Sequence, residues 1–139
     1  MEYYISNDKT LLDVPLIHDY LSNRSYWGKG RTLETVETSI THSLCFGVFN
    51  KENQQVGFAR VVTDYVLVAW LMDLFILEDY RGQGLSKLLM TAVMGHPDLQ
   101  NMRRWGLGTA DAHSLYEQFG FTPLSKPEAM MEKLSEKLF

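Results

Sequence analysis

The 139-residue sequence holds a single cysteine, Cys45. No disulfide framework can form within the chain, and a cytoplasmic location is the expectation. Cys45 lies in the apolar stretch LCFGVF and reads as a small buried hydrophobe rather than a reactive thiol. Apolar runs long enough to span a bilayer are missing, and the opening MEYYISNDKT has neither the basic nor the apolar region of a secretory signal. No membrane partner is expected. Basic excess is missing too: 13 Lys and Arg stand against 17 Asp and Glu, for a net charge of −4 and a pI near 5.5. That balance disfavours a nucleic-acid partner held by phosphate contacts and suits a small or cationic substrate. His18, His42 and His96 are scattered without metal-ligand spacing, so no metal is expected. With no repeat, low-complexity tract or linker, residues 1–139 read as a single domain around one core.

What is present alternates between the two hydrophobic periods. Glu2 to Ser6 reads as a short strand. Asp13 caps a helix with Pro15 in its first turn and Leu16, Ile17, Tyr20 and Leu21 on its apolar side. SNRSYWGKGR, residues 22–31, is a polar loop carrying Tyr26 and Trp27, and Leu33, Val36 and Ile40 mark a second helix. Leu44–Phe49 and Gln55–Val62 form a hairpin across NKENQ. AWLMDLFIL, residues 69–77, is apolar almost throughout, as expected of a central strand covered on both faces. A helix follows through Leu85, Leu88, Leu89, Ala92 and Val93, ended by Gly95 and Pro97. Arg104–Thr109 reads as a strand. Asp111 then caps a helix with Ala112, Leu115, Tyr116 and Phe119 on one face, closed by Gly120. Phe121–Leu124 and Met130–Leu134 suggest a terminal hairpin. The order gives an α/β (α+β) sheet with helices packed on it.

The junction EDYRGQGLSKLL, residues 78–89, carries the chemistry. A strand ending in a glycine turn that opens a helix presents unpaired backbone amides and the positive end of the helix dipole. This is an anion site suited to phosphate, with Arg81 and Lys87 able to add charge at its rim. A Walker A loop is excluded because Ser86, not glycine, precedes Lys87. A dinucleotide fingerprint is excluded because Lys87 stands where its third glycine belongs. Taken alone, the turn fits a phosphate site and a plain strand-to-helix connection equally.

The same stretch resembles the acetyl-CoA pyrophosphate loop of the GNAT N-acetyltransferase superfamily, Arg/Gln-x-x-Gly-x-Gly/Ala, with Arg81, Gly84 and the small Ser86 in the defining positions. Downstream, DAHSLYEQFGF resembles that superfamily's second signature through Ala112, Leu115, Tyr116, Gly120 and Phe121. The resemblance implies a mixed, mostly antiparallel sheet splayed between its fourth and fifth strands, with a gap between Leu74–Leu77 and Leu107–Thr109. It implies acetyl-CoA as co-substrate, the diphosphate resting on the backbone of Arg81, Gly82, Gln83, Gly84, Leu85, Ser86 and Lys87. The pantetheine arm would pair with Phe75, Ile76 and Leu77, and the amide near Phe75 would donate to the acyl oxygen. Thr109 stands where the family commonly has an asparagine facing the pantetheine.

By the same resemblance, Tyr116 is the general acid, since a tyrosine hydroxyl is protonated at neutral pH. A tyrosine that only packs is the plainer reading of that position. Asp73, the lone charge in AWLMDLFIL, fits two readings, a base or ammonium site facing a cleft and a structural ion pair with Arg60. The resemblance puts the acceptor pocket at the first two helices and their loop. Tyr26, Trp27 and Asp64 are its candidate residues, with Trp27 equally suited to anchoring the loop to the core. The implied activity is direct acetyl transfer to a primary amine of a small molecule. A protein N-terminal acetyltransferase and a non-catalytic acyl-CoA-binding module are the alternatives, and a homodimer is compatible.

Overall fold

The computed structural model describes residues 2–136. In chain order the elements are β1 (Tyr3–Ser6), α1 (Val14–Asp19), α2 (Leu33–Thr41), β2 (Leu44–Asn50), β3 (Gln55–Thr63), β4 (Val68–Ile76), α3 (Leu85–Met94), β5 (Arg104–Gly106) and α4 (His113–Glu117), with short 3-10 turns between them. The strands stand in sequence order, β1 to β4 antiparallel and β5 parallel to β4. A parallel neighbour needs a crossover, and α3 supplies it.

Local chemistry starts the helices where the sequence places them. The Asp13 carboxylate accepts the Leu16 N–H at 3.2 Å, and Thr32 Oγ1 accepts the Thr35 N–H at 3.1 Å. Each satisfies an amide that has no partner within its helix. After α1 the chain continues as a π-helical turn over Tyr20–Arg24, so the helical path runs further than the loop expected from residue 22. On one sheet face α1 and α2 bury Ile17, Leu21, Val36 and Ile40 with Cys45, Phe58 and Phe75. On the other, α3 buries Leu85, Leu89, Met90 and Val93 against Phe46, Val48, Val61 and Leu71. Burial pushes the Cys45 thiol up to about 11, which keeps it protonated and unreactive at neutral pH.

Three expectations need correction. The terminal hairpin does not form: residues 121–136 carry a 3-10 turn at Pro127–Ala129 and no strand. Pro123 would withhold a ladder donor from the first of the two segments. Asp111 does not cap α4; the cap position is Ala112, whose N–H donates to Thr109 Oγ1 at 3.1 Å. β5 ends at Gly106, three residues short of the expected Thr109, and that early ending creates the site.

Candidate active site

β4 and β5 are paired only where they begin, at Val68↔Arg104, Ala69↔Trp105 and Trp70↔Gly106. Beyond that point the strands part around a cleft of about 490 Å³, with Leu71–Ile76 on one wall and Leu107–Thr109 on the other. The gap therefore opens earlier than Leu74. Two features of the chain stand where it opens. Between the pairs Phe58↔Phe75 and Arg60↔Met72, β4 sets both Leu74 and Asp73 opposite Ala59 alone. Asp73 occupies the left-handed region at φ +57°, and such a bulge bends its strand. At the last parallel pair the Trp70 ring lies so close that a Cβ on Gly106 would stand 2.1 Å from it, so a larger residue there would have to displace the indole.

The glycine turn lies at the far end of β4. Gly82 and Gly84 take φ +83° and +80° with open space where a Cβ would project. Backbone conformation, not crowding, demands glycine here. Gly84 is the N-cap of α3 and among the described residues no side chain caps that end, so the first-turn amides of Leu85, Ser86 and Lys87 have no helical partner. Gly84→Ala is expected to lower stability by about 1–2 kcal/mol through the left-handed strain; an unchanged urea midpoint would contradict this account of the turn. Arg81 does not extend outward. Its Nε donates to Ile76 O at 3.0 Å and an Nη to Tyr20 Oη at 2.7 Å, fastening the turn to β4 and to the helical segment after α1. Gln83 is fastened as well, accepting from Tyr3 Oη at 3.0 Å and donating to Tyr80 O at 3.2 Å.

Tyr116, on α4, is buried and lines the cleft. Its hydroxyl makes no hydrogen bond among the described residues. Burial, with Tyr26 and Asp111 adding to it, pushes this hydroxyl up to about 12. It is a protonated donor with no acceptor among the described residues. On the opposite wall, Leu77 N–H donates to Val56 O at 2.9 Å. Alternation along an antiparallel ladder then turns Phe75 and Leu77 toward β3 and Ile76 toward the cleft.

A family model described as an acetyltransferase (GNAT) domain matches residues 42–123, more than half of the chain. The chain belongs to the GNAT acetyltransferase family. A crystal structure of a Xanthomonas campestris protein described as a GNAT-family acetyltransferase is 49% identical, with a TM-score of 0.94 over 97% of this chain and 94% of that one. A Gibberella zeae protein named as an acetyltransferase is 29% identical over 83% of this chain and 76% of its own length. The glucosamine-6-phosphate N-acetyltransferase of Arabidopsis thaliana is 13% identical with a TM-score of 0.68, a likeness of fold alone.

In this GNAT protein the loop before α2 lines the cleft through Tyr26, Trp27 and Arg31. Tyr26 Oη accepts the Ala110 N–H at 2.8 Å, linking the loop to the β5 side. Trp27 Nε1 donates to Asp73 Oδ1 at 2.9 Å, and the Tyr26 and Trp27 rings meet edge to face at 5.0 Å. Asp73 also accepts from Arg31 Nη1, at 2.8 Å to each oxygen, and from Arg60 Nε at 2.6 Å. The ion pair with Arg60 is thus present and a second guanidinium joins it. Asp73 lines the cleft with its carboxylate committed to three side chains.

Of the other sequence candidates, Phe75, Ile76, Arg81, Ser86 and Thr109 line the cleft, while Leu77 and Asp64 do not. Asp64 caps the β3–β4 turn by accepting the N–H groups of Leu67, Val66 and Val68 at 2.8–3.1 Å, and these bonds lower its pKa. Leu85 is buried in the core, and Lys87 is exposed on the first turn of α3. Tyr20, Arg31 and Trp70 are cleft residues that spacing did not single out. Tyr20 stacks on Phe75 at 4.0 Å between centroids, yet in the sequence it reads as one more apolar helix position. Arg31 is one cation among several in its loop, and nothing linear marks its approach to Asp73.

Proposed function

We propose that this protein is an acetyl-CoA-dependent N-acetyltransferase acting on a primary amine of a small molecule by direct attack. The observation that carries the reading is the pairing, among the described residues, of an uncapped helix N-terminus with a splayed cleft lined by a neutral tyrosine hydroxyl that has no partner there. The residues fit the co-substrate: the amides of Leu85, Ser86 and Lys87 suit the diphosphate, Lys87 adds charge at the rim, and the Ile76 N–H suits the pantetheine arm. When bound, acetyl-CoA supplies an acyl group activated as a thioester.

Tyr116 Oη donates its proton to the departing sulfur, a role that needs a hydroxyl still protonated at working pH. The amine reacts as the free base, and the open cleft lets its proton pass to water. Asp73 acts as a positioning residue here. Its acceptor sites are filled by Trp27, Arg31 and Arg60, so it holds the acceptor wall instead of collecting the proton. The Tyr26–Ala110 link narrows the cleft mouth and supports a small acceptor over a peptide.

Calorimetry with CoA, followed by thiol detection of CoA released from acetyl-CoA across an amine library, tests the reading. Saturable CoA binding and amine-dependent release are expected. CoA binding without release for any amine would favour a non-catalytic binding module, and absence of CoA binding would end the transferase reading.

A further inference from the structure

The buried charges on the acceptor wall do not balance. Asp73 has a side chain only 1% exposed, and it faces two guanidiniums, Arg31 at 14% and Arg60 at 10%. Two cations against one anion leave one positive charge in excess where water screens weakly. The two cations differ in what remains of them. Arg60 is buried behind the carboxylate, donating through Nε to Asp73 and through Nη1 to Ser43 Oγ at 3.1 Å. Arg31 spends Nη1 alone on Asp73 and lines the cleft. Among the described residues its Nε and Nη2 make no hydrogen bond. No fully buried side-chain nitrogen or oxygen lacks a partner there, so these two donors lie on the accessible side.

Among the described residues the other charges in the cleft lining are Arg81 and Asp111. Arg81 is tied to Ile76 and Tyr20, and Asp111 is exposed on the β5–α4 wall. A guanidinium held by one Nη with its Nε–Nη2 edge open matches the two oxygens of a carboxylate. Tyr26, Trp27 and Trp70 add aromatic surface around it.

We infer that the acceptor is an amine that also carries a carboxylate, an amino-acid-type substrate whose carboxylate pairs with the free edge of Arg31. This rests on the transferase reading and adds a substrate class to it. The proteinogenic amino acids, each paired with its α-carboxamide, are offered as acceptors in the thiol assay, with kcat/KM expressed per neutral amine. The carboxylate member is expected to exceed its carboxamide by roughly tenfold or more, the range of a charge-assisted pair. Arg31→Gln should abolish that preference. Arg31→Lys, which keeps a cation beside Asp73 but lacks the planar fork, should reduce it. The KM for acetyl-CoA should stay unchanged in both.

Carboxamides acetylated as well as the acids would overturn the inference, as would a folded Arg31→Gln protein that retains the preference. So would the absence of any carboxylate acceptor that is acetylated or raises the melting temperature of the CoA-saturated protein. If Arg31→Gln does not fold, the wild-type ratio and Arg31→Lys decide. CoA binding, measured first and alone, reports separately on the transferase reading.

Discussion

Tyr116→Phe is expected to lower kcat by a factor of about 10² to 10⁴, the usual contribution of a positioned general acid, while CoA binding persists. The substitution isolates the proton donor because the hydroxyl makes no hydrogen bond among the described residues and the ring keeps its packing, including an edge contact with Phe121 at 6.1 Å. Melting temperature should therefore barely move. Burial pushes the hydroxyl up to about 12, so the proposed acid stays loaded over the whole working range. The wild-type rate should rise with pH as the acceptor amine loses its proton, with no falling limb below about pH 10. The same shift has a stability consequence of definite sign. In the unfolded chain Tyr116 ionises near 10, while the folded chain resists ionisation until about 12. The stabilisation is complete below 10 and is lost as pH rises toward 12, and the Phe variant should lack this loss. Urea midpoints at neutral and strongly alkaline pH measure it. Undiminished kcat at saturating amine would remove Tyr116 from the reaction.

Asp73→Asn should destabilise the protein by about 3–5 kcal/mol, the cost of removing one partner from a buried ion cluster. Asparagine tolerates the left-handed conformation that residue 73 adopts, so the loss reports on charge, not on backbone strain. Two guanidiniums, Arg31 and Arg60, would be left facing a neutral amide, and Trp27 would keep an acceptor. Asp73→Ala should be worse by about 1 kcal/mol, since alanine adds strain at φ +57°. Chemical denaturation at neutral pH decides the point. If Asp73 were instead the base, the Asn variant would fold with near-normal stability and lose rate selectively, with recovery at high pH. That pattern would displace the positioning role.

Legibility from sequence followed the range of the interaction. Helix starts at Asp13 and Thr32 rest on bonds spanning three residues, and the Asp13 cap appears as expected. The order of elements and the β2–β3 hairpin were equally open to reading, because period-2 and period-3.6 patterns are local. The glycine turn and the tyrosine helix could be picked out because their motifs are contiguous. The pairing of Asp73 with Arg60 was foreseen as one of two options, since the residues lie on neighbouring strands. Arg31 was not foreseen as its second partner, because 42 positions separate them along the chain. Asp64 looked like an amine ligand because an acidic side chain before the central strand has no visible occupation. Folding gives it one, three amides of its own turn.

Contiguous pattern, by itself, pointed to the architecture, and the resemblance carried by two contiguous motifs pointed to the family and to the turn and the helix proposed to serve the reaction. Tertiary structure alone decided how they are used. The bulge at Asp73 and the contact of Trp70 with Gly106 stand where the sheet opens, and burial raised the proton affinity of Tyr116. It also brought two arginines to one carboxylate and left one of them with an open edge. Distances, desolvation and charge balance arise between residues far apart in the chain, and no periodicity encodes them.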